Sequence, residues 1–207
     1  FKEEAFRLCS ARSARAQLAG AVNTLSFDGT QILGDNTDGA GLVRDLTVNL
    51  ETPLTGRRIL LLGGGGAARG AIGPILEQRP EQLFIANRTA SKASDLATLF
   101  SSLGPVTGGG FPELAGSCFD VVINATSASL SGDIPPLPAG VFAPEALAYD
   151  MMYGKSDTPF IAYARQLGVT RLADRLRMLV EQPAEAFFVW RGIRPDSLPV
   201  LDKLRRT

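Results

Sequence analysis

Four consecutive glycines between an apolar run and a helix-forming segment constrain this chain of 207 residues most strongly. The apolar run at residues 59–62 leads into the glycines, and the spacing of the turn is G-x-G-x-x-A. Gly63 allows a tight turn after a strand, Gly65 allows the backbone to approach a pyrophosphate, and Ala68 is small enough for close packing of helix on strand. The start of the helix offers free N–H groups and a positive dipole to phosphates. The segment therefore predicts a dinucleotide site, with a plain turn that binds nothing as the alternative.

The end of the next apolar run indicates which dinucleotide. It carries Asn87, Arg88 and Thr89, with Lys92 one helical turn later. Sites for NAD place an acidic residue here, on the ribose 2′-hydroxyl, whereas a guanidinium binds a 2′-phosphate through charge-assisted hydrogen bonds. We therefore predict NADP(H) as the cofactor. In the alternative interpretation Arg88 is a surface charge and Thr89 caps the following helix.

Segments that predict strands and segments that predict helices alternate from residue 58 onward. The strands are predicted at residues 58–62, 82–86, 119–123 and 146–150, and the helices at residues 66–78, 91–101 and 158–167. Continuous apolar runs are typical of parallel strands with helices on both faces, and the alternation is typical of a doubly wound fold. We therefore predict an α/β protein with a doubly wound parallel sheet of the Rossmann type.

The flanking sequence predicts further helices and a hairpin. The spacing of apolar residues predicts a helix over 2–18, and Asp28-Gly29 joins two short strand-like runs as a hairpin turn would. These runs lie at residues 22–27 and 30–33, a helix is predicted around 42–48, and two closing helices are predicted at 174–190 and 196–206.

Composition argues against several classes of function. Basic and acidic residues number 21 each, so the net charge of zero provides no long-range field for nucleic acid or an anionic membrane. The absence of histidine argues against histidine acid–base chemistry and most zinc sites, and we predict no metal. Two cysteines are too few for a disulfide framework, and no apolar stretch reaches about 18 residues. We predict a cytoplasmic protein whose partner is a small molecule.

Nine strings, in the same order from end to end, resemble the shikimate dehydrogenase family. They are FKEEAF (1–6), AGAVNTL (19–25), GDNTDGAGL (34–42), LLLGGGGAARG (60–70), ANRT (86–89), NATSASLSGD (124–133), YDMMYGK (149–155), TPF (158–160) and MLVEQPAEAFFVWRG (178–192). The resemblance implies a two-domain oxidoreductase that interconverts 3-dehydroshikimate and shikimate with NADP(H), on the route to chorismate and the aromatic amino acids. It also implies a monomer or homodimer, with a partial α/β substrate domain at 1–38 and 176–207 and a cofactor domain at 39–175.

The resemblance also assigns residues. Lys2 and Asp38 correspond to the catalytic pair, and the substrate ligands correspond to Asn23, Asp38, Tyr153 and Gln182. The residues that line the nicotinamide side of the cofactor in the family correspond to Asn124, Thr126, Ser127 and Met151. The predicted cofactor site also includes the turn residues Gly63, Gly65, Gly66, Ala67 and Ala68, and the adenosine-side residues Asn87, Arg88, Thr89 and Lys92. A lysine ammonium can donate the proton that ketone reduction requires. In the alternative interpretation Lys2 is a solvated charge and Asp38 caps the helix that follows it.

The sequence departs from the family pattern in several places. We expect the chain to be N-terminally incomplete, because the family begins with a segment that carries a Ser-x-Ser motif for the substrate carboxylate. Gly64 replaces an alanine, and Arg175 and Arg177 replace glycines, the first of which lies against the nicotinamide in the family. Pro183 lies inside the helix predicted over 174–190, so we expect a kink that misaligns Gln182. The alternative is a helix that starts later than residue 174.

Two other hypotheses stay open. One is a paralogue that acts on quinate as well as shikimate, although Arg88 argues against the members of that group that prefer NAD. The other is an NADP-binding module without catalysis.

Overall fold

The computed structural model describes residues 1–126, 133–152 and 156–204. The helices and strands of this part of the chain follow in the order α1 (Lys2–Leu8), β1 (Ala11–Arg12), α2 (Ala14–Ala19), β2 (Thr24–Asp28), β3 (Gln31–Asp35), α3 (Asp38–Arg44), a π-helical turn (Asp45–Asn49), β4 (Arg58–Leu62), α4 (Gly66–Glu77), β5 (Gln82–Ala86), α5 (Ala90–Phe100), a 3-10 turn (Ser101–Leu103), β6 (Val106–Gly109), a 3-10 turn (Phe111–Leu114), β7 (Phe119–Asn124), β8 (Phe142–Asp150), α6 (Pro159–Gln166), β9 (Arg171–Asp174), α7 (Met178–Arg191) and α8 (Leu198–Leu204).

These elements belong to two compact units. The first unit contains Phe1–Thr52, Arg69–Pro74 and Leu176–Thr207, and the second contains Pro53–Ala68 and Ile75–Arg175. The domain boundaries taken from the sequence, at residues 38/39 and 175/176, stay a prediction. No helix among the described residues is long and apolar enough to cross a bilayer.

The first unit holds a three-stranded sheet in the order β1-β3-β2. The predicted hairpin is confirmed, because β2 and β3 pair antiparallel around Gly29, whose φ of 58° suits glycine. The single helix predicted over 2–18 is wrong. Cys9 is extended after α1, β1 pairs with β3, and α2 starts where the Ser13 hydroxyl accepts a hydrogen bond from the Ala16 N–H at 3.2 Å. A serine that caps a new helix ends the continuity that the apolar spacing suggested.

The second unit holds a six-stranded sheet in the order β6-β5-β4-β7-β8-β9, and all neighbouring strands are parallel. The predicted doubly wound Rossmann-type sheet is confirmed. Strands β4, β5 and β7 end at the same edge, since Leu62 is in register with Ala86 on one side and with Asn124 on the other. Helix α5 packs on β5 and β6, and helix α6 packs on β8 and β9.

Two strands of this sheet, β6 and β9, were not predicted from the sequence. Strand β6 contains Gly108 and Gly109 instead of an apolar run, and a Cβ on Gly108 would lie 2.2 Å from the Ala93 carbonyl oxygen. Glycine therefore permits α5 to approach β6 closely. Strand β9 covers residues 171–174, for which the sequence predicts no strand, and it meets the helix predicted over 174–190 only at Asp174. Helix α7 starts later than predicted, at Met178.

Candidate functional site

The glycine turn forms an open cradle at the end of β4. Gly63 has a φ of 118°, and α4 begins at Gly66 directly after the extended Gly65. A Cβ at Gly63 would lie 3.2 Å from the backbone of Ala125, whereas a Cβ at Gly65 or Gly66 would meet nothing within 4 Å. The backbone N–H groups at the start of α4 are therefore accessible to a ligand, and a pyrophosphate fits this arrangement.

The packing around this turn agrees with its small residues. Ala68 is fully buried, as close packing of α4 requires, whereas Ala67 is exposed. Gly64 has little spare room, because a Cβ there would lie 3.3 Å from the side chain of Asn87.

A cavity of about 690 Å³ lies over the turn. Its lining comprises Gly63, Gly64, Gly65, Gly66, Ala67, Asn87, Arg88, Phe111, Ala125, Thr126, Asp133, Ile134, Pro135 and Pro136. The glycine motif and the cation after β5 were predicted from the sequence. Phe111 and residues 134–136 were not, because no motif marks them and only the fold brings them to the cavity.

Arg88 supplies a cation beside the turn. Its side chain is exposed and makes no hydrogen bond or ion pair with the described residues, so it is available to an anion. The neighbouring Asn87 is held in place, since its Nδ2 donates to the Thr89 carbonyl at 3.0 Å and its N–H donates to the Gly109 carbonyl at 3.1 Å. Thr89 precedes α5, but its side chain makes no capping hydrogen bond, and Lys92 is exposed one turn later. This donor set fits a 2′-phosphate.

The other side of the cavity is bounded by the end of β7. Asn124 is fully buried, and its Oδ1 accepts hydrogen bonds from the Thr126 N–H at 3.1 Å and the Thr126 hydroxyl at 2.7 Å. Met151 is buried, and its N–H donates to the Asn124 carbonyl at 2.8 Å. Ser127, a predicted cofactor residue, lies outside the described residues.

Asp150 contacts this group but was not singled out in the sequence. Its carboxylate accepts a hydrogen bond from the Asn124 Nδ2 at 3.1 Å. The sequence signal that could have identified Asp150 is an acidic residue at the end of an apolar strand. A charge buried there requires hydrogen-bond donors.

Three side chains from distant parts of the first unit converge on Asp38. The Lys2 ammonium donates to its Oδ2. The Asn23 Nδ2 donates to its Oδ1 at 2.8 Å, and the Gln182 Nε2 donates to the same oxygen at 2.7 Å. The structure therefore brings together four predicted site residues, while Tyr153 lies outside the described residues. These side-chain donors, rather than a capping bond, account for the position of the Asp38 carboxylate.

The orientation of Asn23 is set by its other end. Its Oδ1 accepts hydrogen bonds from the Thr37 N–H at 3.0 Å and the Thr37 hydroxyl at 3.2 Å. The amide nitrogen is thereby directed to Asp38. Lys2 keeps about half of its side chain exposed (49%), so its ammonium can also reach a ligand.

Gln182 reaches Asp38 although Pro183 follows it. Helix α7 runs continuously from Met178 to Arg191 with the proline in its interior. Helices α3 and α7 pack closely here, because a Cβ on Gly41 would lie 2.9 Å from the Gln182 Cγ and 3.0 Å from its backbone nitrogen. The expected misalignment of Gln182 is therefore wrong, and the alternative of a helix that starts later than residue 174 is confirmed. Arg175 and Arg177 are both partly buried, and the Arg175 N–H donates to the Met152 carbonyl at 3.3 Å.

An ion-pair network supports the strand that leads to Asp38. Arg15 donates from Nε and Nη2 to the two oxygens of Asp35, at 2.8 and 2.7 Å, and from Nη1 to Glu185 at 2.8 Å. Glu185 also pairs with Arg194. Burial alone would raise the pKa of Asp35, but hydrogen bonds from Arg15 and Ser13 lower it below 3.8. Burial alone would likewise raise the pKa of Glu185, but hydrogen bonds from Arg15 and Arg194 lower it below 4.5.

Comparisons with known proteins agree with this geometry. The family described as "Shikimate / quinate 5-dehydrogenase" matches residues 46–131. The chain is 64% identical to a shikimate dehydrogenase (NADP(+)) of Dechloromonas aromatica (strain RCB), over 99% of this chain and 75% of the relative. It is 60% identical to the enzyme of the same description from Nitrosospira multiformis, over 99% of this chain and 74% of the relative.

Solved structures share the fold of this chain. A crystal structure of an Ael1 enzyme from Pseudomonas putida superimposes with a TM-score of 0.92 at 51% identity, covering 99% of this chain and 75% of that one. Shikimate 5-dehydrogenase from Thermus thermophilus, in complex with NADP(H) and shikimate, has a TM-score of 0.82 at 31% identity, with the same coverage.

Proposed function

Since the chain belongs to the shikimate dehydrogenase family, we propose that it reversibly reduces 3-dehydroshikimate to shikimate with NADP(H). A fold of this type serves many reactions, so the proposal depends on the site. The observation that carries it is the convergence of Lys2, Asn23 and Gln182 on the carboxylate of Asp38. Such a cluster combines a proton donor with several groups that can bind the hydroxyls of a polyhydroxylated ring.

The residues around the glycine turn suit the cofactor. Gly65 and Gly66 would hold the pyrophosphate through backbone N–H groups, and Arg88 would bind the 2′-phosphate with support from Lys92. Thr126 would bound the nicotinamide side of the cavity. NADPH supplies the hydride that reduces the carbonyl carbon.

Lys2 is the proton donor of the reduction. Its ammonium stabilises the negative charge that develops on the substrate oxygen and then transfers a proton to that atom. Asp38 orients Lys2 through Oδ2, while its Oδ1 accepts from both amides. In the direction of shikimate oxidation Lys2 accepts the proton, as microscopic reversibility requires.

The quinate-active paralogue is the second candidate, because the matching family description includes quinate. Kinetics with each acid and each cofactor separate the two. Use of quinate with NAD equal to or better than use of shikimate with NADP would contradict our proposal. NADPH binding without turnover of either acid would support the non-catalytic module instead.

Cofactor choice is tested by the dissociation constants for NADPH and NADH. We expect Arg88→Ala to weaken NADPH binding at least about tenfold, since it removes a charge-assisted contact, and to leave NADH binding unchanged. Arg57→Ala is the matched control, because Arg57 is exposed in the same unit and does not line the cavity. An equal loss for both cofactors would contradict the role of Arg88.

The catalytic role is tested at the start of α1. We expect Lys2→Ala to reduce kcat for shikimate oxidation by at least about a hundredfold, the scale of general acid–base catalysis, with NADPH affinity unchanged. Glu3→Ala is the control in the same helix, since Glu3 is exposed. Parental kcat in Lys2→Ala would refute the assignment.

We also propose that the protein acts in the cytoplasm, as a monomer or a homodimer. The two cysteines, Cys9 and Cys118, are both free thiols, which agrees with a reducing compartment. Fractionation of cells and sedimentation of the purified chain test the two statements.

A further inference from the structure

Asp150 is a fully buried carboxylate at the end of β8. Its Oδ1 accepts hydrogen bonds from the Asn124 Nδ2 at 3.1 Å and from the Met152 N–H at 3.0 Å. Its Oδ2 accepts from the Thr158 hydroxyl at 2.5 Å. A charge without such partners would be expensive to bury, so these bonds join the ends of β7 and β8 to the start of α6.

The carboxylate decides which way the Asn124 amide points. The Oδ1 of Asp150 already accepts from the Met152 N–H, so the group of Asn124 that faces this oxygen must be its donor, Nδ2. The Oδ1 of Asn124 consequently faces Thr126 and accepts from both its N–H and its hydroxyl. A rotated amide would present an acceptor to the carboxylate and donors to the donors of Thr126.

Thr126 links the Asn124 amide to the wall of the cavity. It lines the cavity, and its Cγ2 would lie 3.3 Å from a Cβ on Gly63. Strand β7 lies beside β4 on the side opposite β5, the strand that leads to Arg88. A dinucleotide on a doubly wound sheet spans the point where the strand order reverses. With the 2′-phosphate on the β5 side, the nicotinamide half therefore occupies the β7 side.

We propose that Asp150 is a positioning residue for the nicotinamide half of the cofactor, acting through Asn124 and Thr126. This inference rests on the proposed function, because it requires that the chain bind NADP(H). It predicts that Asp150 affects the two halves of the cofactor unequally.

The dissociation constants of two ligands distinguish the nicotinamide half of the cofactor site from the adenosine half. NADPH occupies both sides of the site, whereas adenosine 2′,5′-bisphosphate carries the 2′-phosphate but no nicotinamide. The variant Asp150→Ala removes both acceptor oxygens and leaves the donors of Asn124 and Met152 without this partner. We expect the Kd for NADPH to rise about tenfold, the scale of losing a hydrogen bond to a charged group, and the Kd for the bisphosphate to change less than about twofold.

Thr158→Val is the matched control. It removes the donor to the other carboxylate oxygen and the cap on the Ile161 N–H, which lies 3.3 Å from the Thr158 hydroxyl. We expect this variant to lower the melting temperature while the ratio of the two dissociation constants stays at its parental value. A selective loss of NADPH binding in Thr158→Val equal to that in Asp150→Ala would overturn the assigned route through Asn124.

A second variant tests the inference if Asp150→Ala does not fold. Thr126→Val breaks the last hydrogen bond of the series at a partly exposed position and must weaken NADPH binding without weakening bisphosphate binding. An unchanged ratio in either folded variant would overturn the inference. Failure of the parent chain to bind either ligand would instead overturn the proposed function, and the inference with it.

Discussion

Replacing Gly39 with alanine should destabilise the first unit, because α3 approaches α4 there with no room for a side chain. A Cβ on Gly39 would lie 2.3 Å from the Gly70 carbonyl oxygen and 2.6 Å from the Pro74 Cγ, about 1.1 and 0.8 Å short of an ordinary contact at 3.4 Å. Neither atom can rotate away, since one belongs to the backbone and the other to a proline ring. Proline also leaves the Gly70 carbonyl without its usual helical donor.

The size of the effect follows from two opposing terms. Overpacking of this kind costs about 1–3 kcal/mol, and the rigid neighbours place this site near the upper end. Alanine regains up to about 1 kcal/mol of helix propensity over glycine. We therefore expect a net loss of about 2 kcal/mol, which lowers the melting temperature by about 4–8 °C in a protein of this size.

Tryptophan fluorescence provides the assay. The single tryptophan, Trp190, belongs to the same unit, and its Nε1 donates to the Leu25 carbonyl at 2.9 Å, so its emission reports unfolding of this unit. Gly70→Ala is the control in the same unit, since a Cβ there would lie 3.8 Å from the Asn36 Oδ1 and 3.9 Å from the Ala19 Cβ, both ordinary contacts. We expect it to unfold at the same urea concentration as the parent or a higher one. A Gly39→Ala variant within about 0.5 kcal/mol of the parent, well below the expected overpacking cost, would refute the reasoning.

Two further predictions concern stability. Since the pKa values of Asp35 and Glu185 are lowered in the folded state, their pairing stabilises the protein fully above pH 4.5 and is lost as the pH falls through the folded-state values. The difference in unfolding free energy between the parent and Arg15→Gln, from urea titrations, should therefore be largest near neutral pH and shrink towards pH 3; a difference independent of pH would contradict this. Pro183→Ala should restore the N–H that the interior of α7 lacks and stabilise the chain by about 1–3 kcal/mol in the same titrations. A lower midpoint would show that the proline is accommodated without cost.

The sheet of the second unit was predictable where each strand is a continuous apolar run. Strand β4 occupies the predicted residues 58–62, and β5 occupies the predicted 82–86. Strand β6 was not predictable, because it contains two glycines and no apolar run. Gly108 allows α5 to approach β6 closely, and that requirement is not visible in the local sequence. The first helix was predicted too long, since a capping serine outweighed its apolar spacing.

The candidate site, like the fold, has one part that the sequence predicts and one part that depends on tertiary contacts. The sequence by itself determined the glycine turn and the cation after β5, because a strand, its turn and the next helix are neighbours in the chain and their chemistry is readable from adjacent residues. Only the tertiary structure decided that Asp38 accepts from Gln182, 144 residues away, and that Asp150 orients Asn124. Contacts of that kind depend on how helices and strands pack, and the hydrogen-bonding needs of a buried carboxylate can be counted only when its neighbours are known.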